Sequence, residues 1–287
     1  MTSLLSPGFL AQLEAFQLST RQHLPGRLAG SHRSPRHGSS LDFADFREYR
    51  PGDDPRLLDH LVWARLDQLV LRLYHGEEDL TVRILLDTSG SMGVDGKHDQ
   101  AVRVAAAVGY LALVRRDPVT VHHVPLDRPP QRFVGRAGAP PLFDRLASLE
   151  PDGPTTFVEG VIALLAHPGP PGLTVVISDF LTAAWRDALV RVPGGGGDLL
   201  AVHVVARSDL APDLVGDVEV VDRETGDRLA VTVTPEAARD HRRRAEAWAD
   251  EVAGRCRQLG AGYLRLLADD DLEARFVAAW QRAGALR

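Results

Sequence analysis

The chain contains the stretch Thr81-Val-Arg-Ile-Leu-Leu-Asp-Thr-Ser-Gly-Ser-Met-Gly93, an apolar run that ends in a turn rich in oxygen-bearing side chains. The apolar residues at its start predict a buried strand, and the serines and glycines that follow predict a turn. The strand therefore delivers Asp87, Ser89 and Ser91 to a single loop.

A second apolar run, Leu173-Thr-Val-Val-Ile-Ser-Asp179, ends in the same way. If the two strands lie in one parallel sheet, Asp87 and Asp179 meet at its carboxyl edge. That edge is where open α/β sheets bind their ligands. The two runs together therefore predict a ligand site built from side chains that are far apart in the sequence.

Alternation of strand and helix patterns continues through the rest of the chain. It predicts parallel strands joined by right-handed crossovers. Two short β patterns, 218–221 and 229–233, flank a turn at Glu224 and predict a hairpin added to this scaffold. The expected fold is α/β, with an open, mostly parallel sheet flanked by helices, an N-terminal extension and a β-hairpin insertion.

Length and composition are those of an ordinary globular protein, with 287 residues of which 44% are apolar and 25% are charged. The formal net charge of -6 gives no reason to expect general affinity for nucleic acids or anionic membranes. Cys256 is the only cysteine, so an internal disulfide is impossible. No window reaches the ~20 apolar residues that cross a bilayer. We predict a cytoplasmic protein, with tethering by a partner left open.

The first 79 residues differ from the rest in composition. Residues 25–40 are rich in Gly, Ser, Pro, Arg and His and predict an exposed loop or arm, whereas 41–56 mix aromatic side chains with charges of both signs. That mixture favours a fixed network of carboxylates and guanidinium groups. Residues 57–73 have helical spacing, although the end of this range fits a strand equally well. We predict that 1–79 packs on a main domain formed by 80–287.

The turn that follows the first strand has the chemistry of a cation site. Asp87, Ser89 and Ser91 offer one carboxylate and two hydroxyls at alternate positions. A small hard cation prefers such oxygen ligands, at ~2.0–2.1 Å in the case of magnesium. Because no sulfur or imidazole stands beside them in the sequence, magnesium or manganese is predicted rather than zinc.

The same turn resembles the metal-ion-dependent adhesion site of von Willebrand factor A-type domains, whose fold is an open, mostly parallel sheet wrapped by helices. In such domains a threonine and an aspartate from later loops complete the site. The resemblance implies Thr155 and Asp179 for these roles, with Thr156 as the less favoured alternative to Thr155. The predicted metal ligands are then Asp87, Ser89, Ser91, Thr155 and Asp179. Predicted partner contacts beside the metal are Thr88, Gly90, Thr156 and Phe180.

The N-terminal segment resembles the sequence pattern of domain-of-unknown-function family 58. The match runs through Leu41-Asp-Phe-Ala-Asp-Phe-Arg-Glu-Tyr-Arg-Pro-Gly-Asp-Asp54, Ala64-Arg65 and Glu77-Glu78. Its signature positions are Asp42, Phe43, Asp45, Arg47, Tyr49, Arg50, Asp53, Asp54 and Arg65. Proteins of that family are associated with MoxR-type AAA+ ATPases, which implies such an ATPase or its client as partner. Two positions depart from the pattern: Thr156 replaces a common acidic residue, and His60 replaces the usual tryptophan.

The same residue types also occur in structures and sites of other kinds. Asp and Ser also form capped turns without any metal, and Lys97 is predicted to start a helix rather than to act in chemistry. A phosphatase that forms an aspartyl phosphate needs a second carboxylate two residues after its nucleophile, where this chain has Ser89. The chain also lacks the Gly-x-Ser-x-Gly, phosphate-loop and His-Glu-x-x-His motifs. We therefore predict a protein that is not an enzyme.

The predicted function is that of a metal-dependent adaptor that binds proteins. Its ligands cannot close a six-oxygen shell, so a carboxylate from a protein partner would complete the coordination of the metal. A less favoured alternative is binding of nucleic acid or an anionic surface through the basic arm around Arg27, Arg33 and Arg36. This alternative ranks lower because the arm has few aromatic side chains for stacking.

Overall fold

The computed structural model shows an α/β protein with a mixed, mostly parallel central sheet flanked by helices. It describes residues 4–16, 18, 43–50, 53, 58–74, 81–166, 172–193 and 197–286, without the side chains of 43–46 and 72–74. As far as these residues show, the chain forms two compact units, one from segments 1–25 and 80–287 and one from segment 26–79.

Ten strands and nine helices are found in the described residues. The strands are β1 (Phe43–Glu48), β2 (Val70–Tyr74), β3 (Thr81–Asp87), β4 (Val119–Val124), β5 (Gln131–Phe133), β6 (Gly172–Ser178), β7 (Asp198–Val205), β8 (Gly216–Val221), β9 (Arg228–Val233) and β10 (Gly262–Leu267). The helices are α1 (Pro7–Leu13), α2 (His60–Leu66), α3 (Lys97–Val114), α4 (Ala139–Ala147), α5 (Phe157–Leu165), α6 (Trp185–Arg191), α7 (Arg207–Leu210), α8 (Pro235–Gln258) and α9 (Leu272–Arg282).

The central sheet has the strand order β10-β7-β6-β3-β4-β5. All neighbours in it are parallel except β4 and β5, which are antiparallel. The predicted strand pair β3 and β6 is adjacent, with Leu86 opposite Ile177. Asp87 and Asp179 therefore lie at the same carboxyl edge, as the sequence predicts.

Side chains of the parallel strands alternate between two apolar layers. In β3, Ile84 and Leu86 face the layer that contains α1, α3, α4 and α9, whereas Leu85 faces the layer of α5, α6 and α8. Helix α3 is buried on nearly every side because its alanines and valines let it pack closely against the sheet. Because helices cover both faces of the sheet, a ligand site can form at the carboxyl ends of its strands.

The two ends of the chain are joined in the larger unit. The backbone N–H of Ser6 and its hydroxyl donate hydrogen bonds to the carboxylate of Glu273 in α9. Phe9 of α1 meets Phe276 of α9 edge to face, with ring centroids 5.7 Å apart. Because of these contacts, α1 and the rest of segment 1–25 belong to the larger unit.

The smaller unit resolves the ambiguity in 57–73, which contains both a helix and a strand. Asp59 caps α2 by accepting from the N–H groups of Leu61 and Val62, and Asp67 ends it in the left-handed conformation with φ 54°. Strand β2 then pairs antiparallel with β1. The expected ion pairing is present between Arg47 and Asp53, at 3.0 Å.

Several predicted features lie outside the described residues. These are the basic arm with Arg27, Arg33 and Arg36, and the signature residues Asp42, Asp54, Glu77 and Glu78. Packing of segment 1–79 on the main domain stays a prediction. None of the described helices is both long enough and apolar enough to cross a membrane.

Cys256 provides a solution test of the second apolar layer. It is fully buried in α8, and burial raises the pKa of its thiol to about 11. We expect alkylation at pH 8 to be at least 100-fold slower than in the urea-unfolded chain, because the thiolate is the reactive form. Labelling followed by intact-mass spectrometry measures the ratio. Similar rates in the folded and unfolded chain would contradict this packing of α8.

Candidate functional site

The candidate site begins where β3 ends at the carboxyl edge. Asp87 is almost completely buried, and each of its oxygens accepts a hydrogen bond. Oδ1 accepts from the backbone N–H of Ser89 at 3.0 Å, and Oδ2 accepts from the hydroxyl of Ser178, the last residue of β6, at 2.6 Å. The two strand ends are thus connected through this carboxylate.

The turn after Asp87 holds the two serine hydroxyls close together. Ser89 Oγ and Ser91 Oγ are 3.1 Å apart. The loop that precedes α5 is attached to this turn, because the N–H of Gly90 donates to the carbonyl of Gly153 and that of Asp152 donates to the carbonyl of Thr88. Three predicted ligands therefore lie in a turn fixed by its neighbours.

Asp179 follows β6 directly and is buried as well. Its Oδ1 accepts from the N–H of Leu181 at 3.0 Å. Phe180, the residue between them, has a left-handed backbone with φ 54°, which is rare for an aromatic residue. Its ring is fully buried and meets Phe157 and His203 edge to face. This packing holds the strained backbone and so fixes the direction of Asp179.

Lys97, the first residue of α3, is the part of the site that the sequence interpretation missed. Its ammonium group is 1% exposed and lies 2.8 Å from Asp179 Oδ2 and 3.0 Å from Asp209 Oδ2. The prediction that it merely starts a helix was incomplete. The sequence did contain a signal for this role. Helix α3 is otherwise apolar, and a lysine on a helix that is buried on all sides needs a carboxylate partner.

Electrostatics at this edge are dominated by buried carboxylates. Burial, and next the neighbouring charge of Asp179, raise the pKa of Asp87. Burial alone would lower the pKa of Lys97, but the charges of Asp179 and Asp209 outweigh it and the pKa is raised. Burial lowers the pKa of His203 to about 3, so this histidine is neutral at pH 7. Asp179 and Asp209 thus share one ammonium group, whereas Asp87 accepts hydrogen bonds from uncharged donors.

The two candidate threonines have different surroundings. The backbone N–H of Thr155 donates to Glu224 Oε2 at 3.0 Å. The hydroxyl oxygen of Thr156 is enclosed yet has no hydrogen-bond partner among the described residues, although Thr156 caps α5. A buried hydroxyl without a partner is uncommon, and a cation would satisfy it.

The structure assigns positioning roles to two predicted partner contacts. Thr88 is 3% exposed and its hydroxyl donates to the carbonyl of Val124 at 2.8 Å. Phe180 is fully buried in the second apolar layer. Direct contact of these two residues with a partner stays a prediction. Among the described residues no group of three or more His, Cys, Asp and Glu side chains forms a metal-binding cluster.

A pocket of about 360 Å³ opens beside Asp209, the second partner of Lys97. It is lined by residues that include Leu181, Trp185, Asp209, His241 and Trp248. Leu181, two residues after Asp179, is 48% exposed. The site is therefore bordered by an apolar surface that solvent reaches.

The sequence profile described as "Protein of unknown function DUF58" matches residues 45–251. Uncharacterized proteins of Mycobacterium tuberculosis (Rv1480) and Mycobacterium bovis (Mb1516) are each 30% identical over 98% of this chain and 92% of their own length.

Two solved structures also match. The conserved hypothetical protein BatB from Bacteroides thetaiotaomicron is 13% identical with a TM-score of 0.40, and covers 71% of this chain and 98% of its own. An aerotolerance-related membrane protein from Bacteroides fragilis is 16% identical with a TM-score of 0.44 at the same coverage.

Proposed function

The chain belongs to the DUF58 family, whose function is unknown, and from this premise we propose a non-catalytic adaptor that binds magnesium or manganese. The cation would be held by Asp87, Ser89, Ser91 and Asp179, together with a hydroxyl of the Thr155–Thr156 pair. It would in turn bind a carboxylate of a protein partner.

The observation that carries this proposal is an excess of buried carboxylate charge beside free oxygen lone pairs. Asp179 and Asp209 share the ammonium group of Lys97, and no ion pair of Asp87 is found among the described residues. A carboxylate has roughly four acceptor positions, and the contacts described above leave some of them free on Asp87 and Asp179. A divalent cation would offset the remaining negative charge, and the donor set is oxygen only, as magnesium prefers.

We propose that the fold is related to that of von Willebrand factor A-type domains. The relationship is supported by the order of the residues in the chain and by the delivery of Asp87 and Asp179 to one edge by adjacent parallel strands. The proposed partner, a MoxR-type AAA+ ATPase or its client, rests on the family resemblance. We propose no chemical step, because Ser89 stands where a phosphatase of the aspartyl type needs a carboxylate.

Partner binding would need more than the metal. A carboxylate bound to a cation is held strongly where water is excluded, so the surrounding surfaces have to be complementary. The pocket beside Asp209 offers apolar area at Leu181, Trp185 and Trp248 for this purpose. We infer that the partner presents an acidic residue next to an apolar one.

The first test is a calorimetric titration with magnesium of the wild type and of Asp87→Ala. We expect weak but saturable binding by the wild type, and at least a tenfold loss in the variant, because one of two carboxylate ligands is removed. Asp99→Ala is the matched control, since Asp99 is an exposed aspartate in the first turn of α3. It should bind like the wild type.

The same proteins serve in a capture experiment with a purified MoxR-type ATPase. Binding should require magnesium, disappear with a chelator, and be absent with Asp87→Ala. Magnesium binding that is equal in wild type and Asp87→Ala, with both proteins folded by circular dichroism, would refute the metal site. Capture that is independent of metal and of Asp87 would refute the adaptor mechanism.

A further inference from the structure

The turn between β8 and β9 is fixed by its own hydrogen bonds. The carboxylate of Asp222 accepts from the N–H groups of Glu224 and Thr225, and the N–H of Asp222 itself donates to the carbonyl of Asp227. These N–H groups lower the pKa of Asp222, so the turn is stabilised by a charged side chain. The backbone position of Glu224 is therefore fixed by this turn.

This turn lies directly on the candidate site. Glu224 Oε2 accepts from the backbone N–H of Thr155 at 3.0 Å, across 69 residues of sequence. The carbonyl of Arg223 lies so close to Gly90 that a Cβ atom there would overlap it. Gly90 lies between Ser89 and Ser91, and its lack of a side chain is what lets the hairpin approach.

The rest of the hairpin has little to hold it in place. Among the described strands, β8 and β9 pair only with each other. Val220, Val221 and Leu229 are 47%, 40% and 65% exposed. Two-stranded hairpins are marginally stable when isolated, so contacts of the turn with the site contribute much of what positions this one.

We propose that Glu224 is a built-in ligand of the site, which occupies the place of the partner's carboxylate until a partner displaces the hairpin. This inference rests on the proposed metal site and states how Glu224 would regulate access of a partner to it. Glu224 is an acidic side chain on the turn between β8 and β9, and it accepts a hydrogen bond from Thr155, a candidate ligand of the site. The partner class that fits is thus a protein loop with a glutamate or aspartate at its tip.

Displacement of the hairpin by such a partner would remove two contacts. The Arg223 carbonyl covers Gly90, and the Glu224 carboxylate covers the N–H of Thr155. In our proposal an incoming loop breaks both contacts as it takes the place of Glu224. Without a partner, bound magnesium should hold the hairpin more firmly, because the carboxylate of Glu224 then binds the cation.

The experiment compares wild type, Glu224→Gln and Glu219→Gln, each with and without magnesium. Glu219 is the matched control because it lies on the same hairpin but pairs with Arg228, at 2.8 Å. Hydrogen exchange monitored by mass spectrometry follows peptides that contain 222–227 and Thr155. Calorimetry gives the magnesium affinity of each protein.

Magnesium should slow exchange of the turn in the wild type and in Glu219→Gln, and leave it unchanged in Glu224→Gln. Glu224→Gln should bind magnesium about tenfold more weakly than the wild type, because it lacks one charged ligand. Wild-type magnesium affinity in Glu224→Gln, or exchange of the turn that ignores magnesium in the wild type, would overturn the built-in ligand while leaving the metal site intact. Absence of magnesium binding in the wild type would overturn both.

Discussion

Replacement of Lys97 by methionine is expected to lower the free energy of unfolding by about 3–5 kcal/mol. The ammonium group is 1% exposed and is shared by Asp179 and Asp209. Methionine fills a similar volume, but it leaves the buried carboxylate of Asp179 and the partly buried one of Asp209 without their cation. The cost is large because charges in the interior have no water to solvate them. Urea unfolding followed by circular dichroism measures the change.

Two further measurements show whether the loss comes from charge. The double variant Lys97→Met with Asp209→Asn should recover part of the lost stability, since one of the unpaired carboxylates becomes neutral. The two effects should therefore be non-additive. Magnesium should stabilise Lys97→Met more than the wild type, because the cation supplies the missing positive charge. A loss below about 1 kcal/mol for Lys97→Met would show that the ion pairs are not buried as described.

Trp280→Ala is expected to reduce stability by a similar amount, about 3–5 kcal/mol. The ring is fully buried in the first apolar layer and stacks on Phe276, with centroids 4.5 Å apart. Phe276 also contacts Phe9, so a cavity at this position weakens the junction of α1 with α9. The change should appear as a shift in the midpoint of urea unfolding at an unchanged slope.

Trp280→Phe separates ring stacking from the polar atom of the indole. Within the described residues the indole N–H of Trp280 has no hydrogen-bond partner. Phenylalanine keeps the stacking and removes this unpaired donor, so its loss of stability should be clearly smaller than that of alanine. Equal losses for the two variants would contradict stacking on Phe276 as the main contribution of this residue.

Much of the α/β architecture could be predicted because its cause is local. The apolar runs that begin at Thr81 and Leu173, and the two β patterns that flank Glu224, act through neighbouring residues. The structure has β3, β6, β8 and β9 at these places. The sequence also predicted that Asp87 and Asp179 meet at one edge if both strands lie in a parallel sheet, and the structure has β3 and β6 as parallel neighbours. Where local signals conflicted, as in 57–73, the sequence allowed a helix and a strand, and the structure contains one after the other.

The composition of the candidate site could be predicted only in part. Asp87, Ser89 and Ser91 are neighbours in one turn, so their grouping is local and can be found in the sequence. Their assignment to a metal stays a prediction. The burial of Phe180 was missed because a partner contact was inferred from its place beside Asp179, whereas the left-handed backbone turns its ring into the second apolar layer.

The sequence by itself determined the order of strands and helices and the two loops that carry Asp87 and Asp179. Only the tertiary structure placed Lys97 against Asp179, 82 residues away, and Glu224 on the loop of Thr155. The physical reason is that strand and helix patterns act over a few residues, while the choice of a buried ion pair or of the contact made by a hairpin turn depends on which surfaces the whole fold brings together. A lysine at a helix start and a glutamate in a turn are ordinary in any sequence, and burial at a shared edge is what makes these two significant.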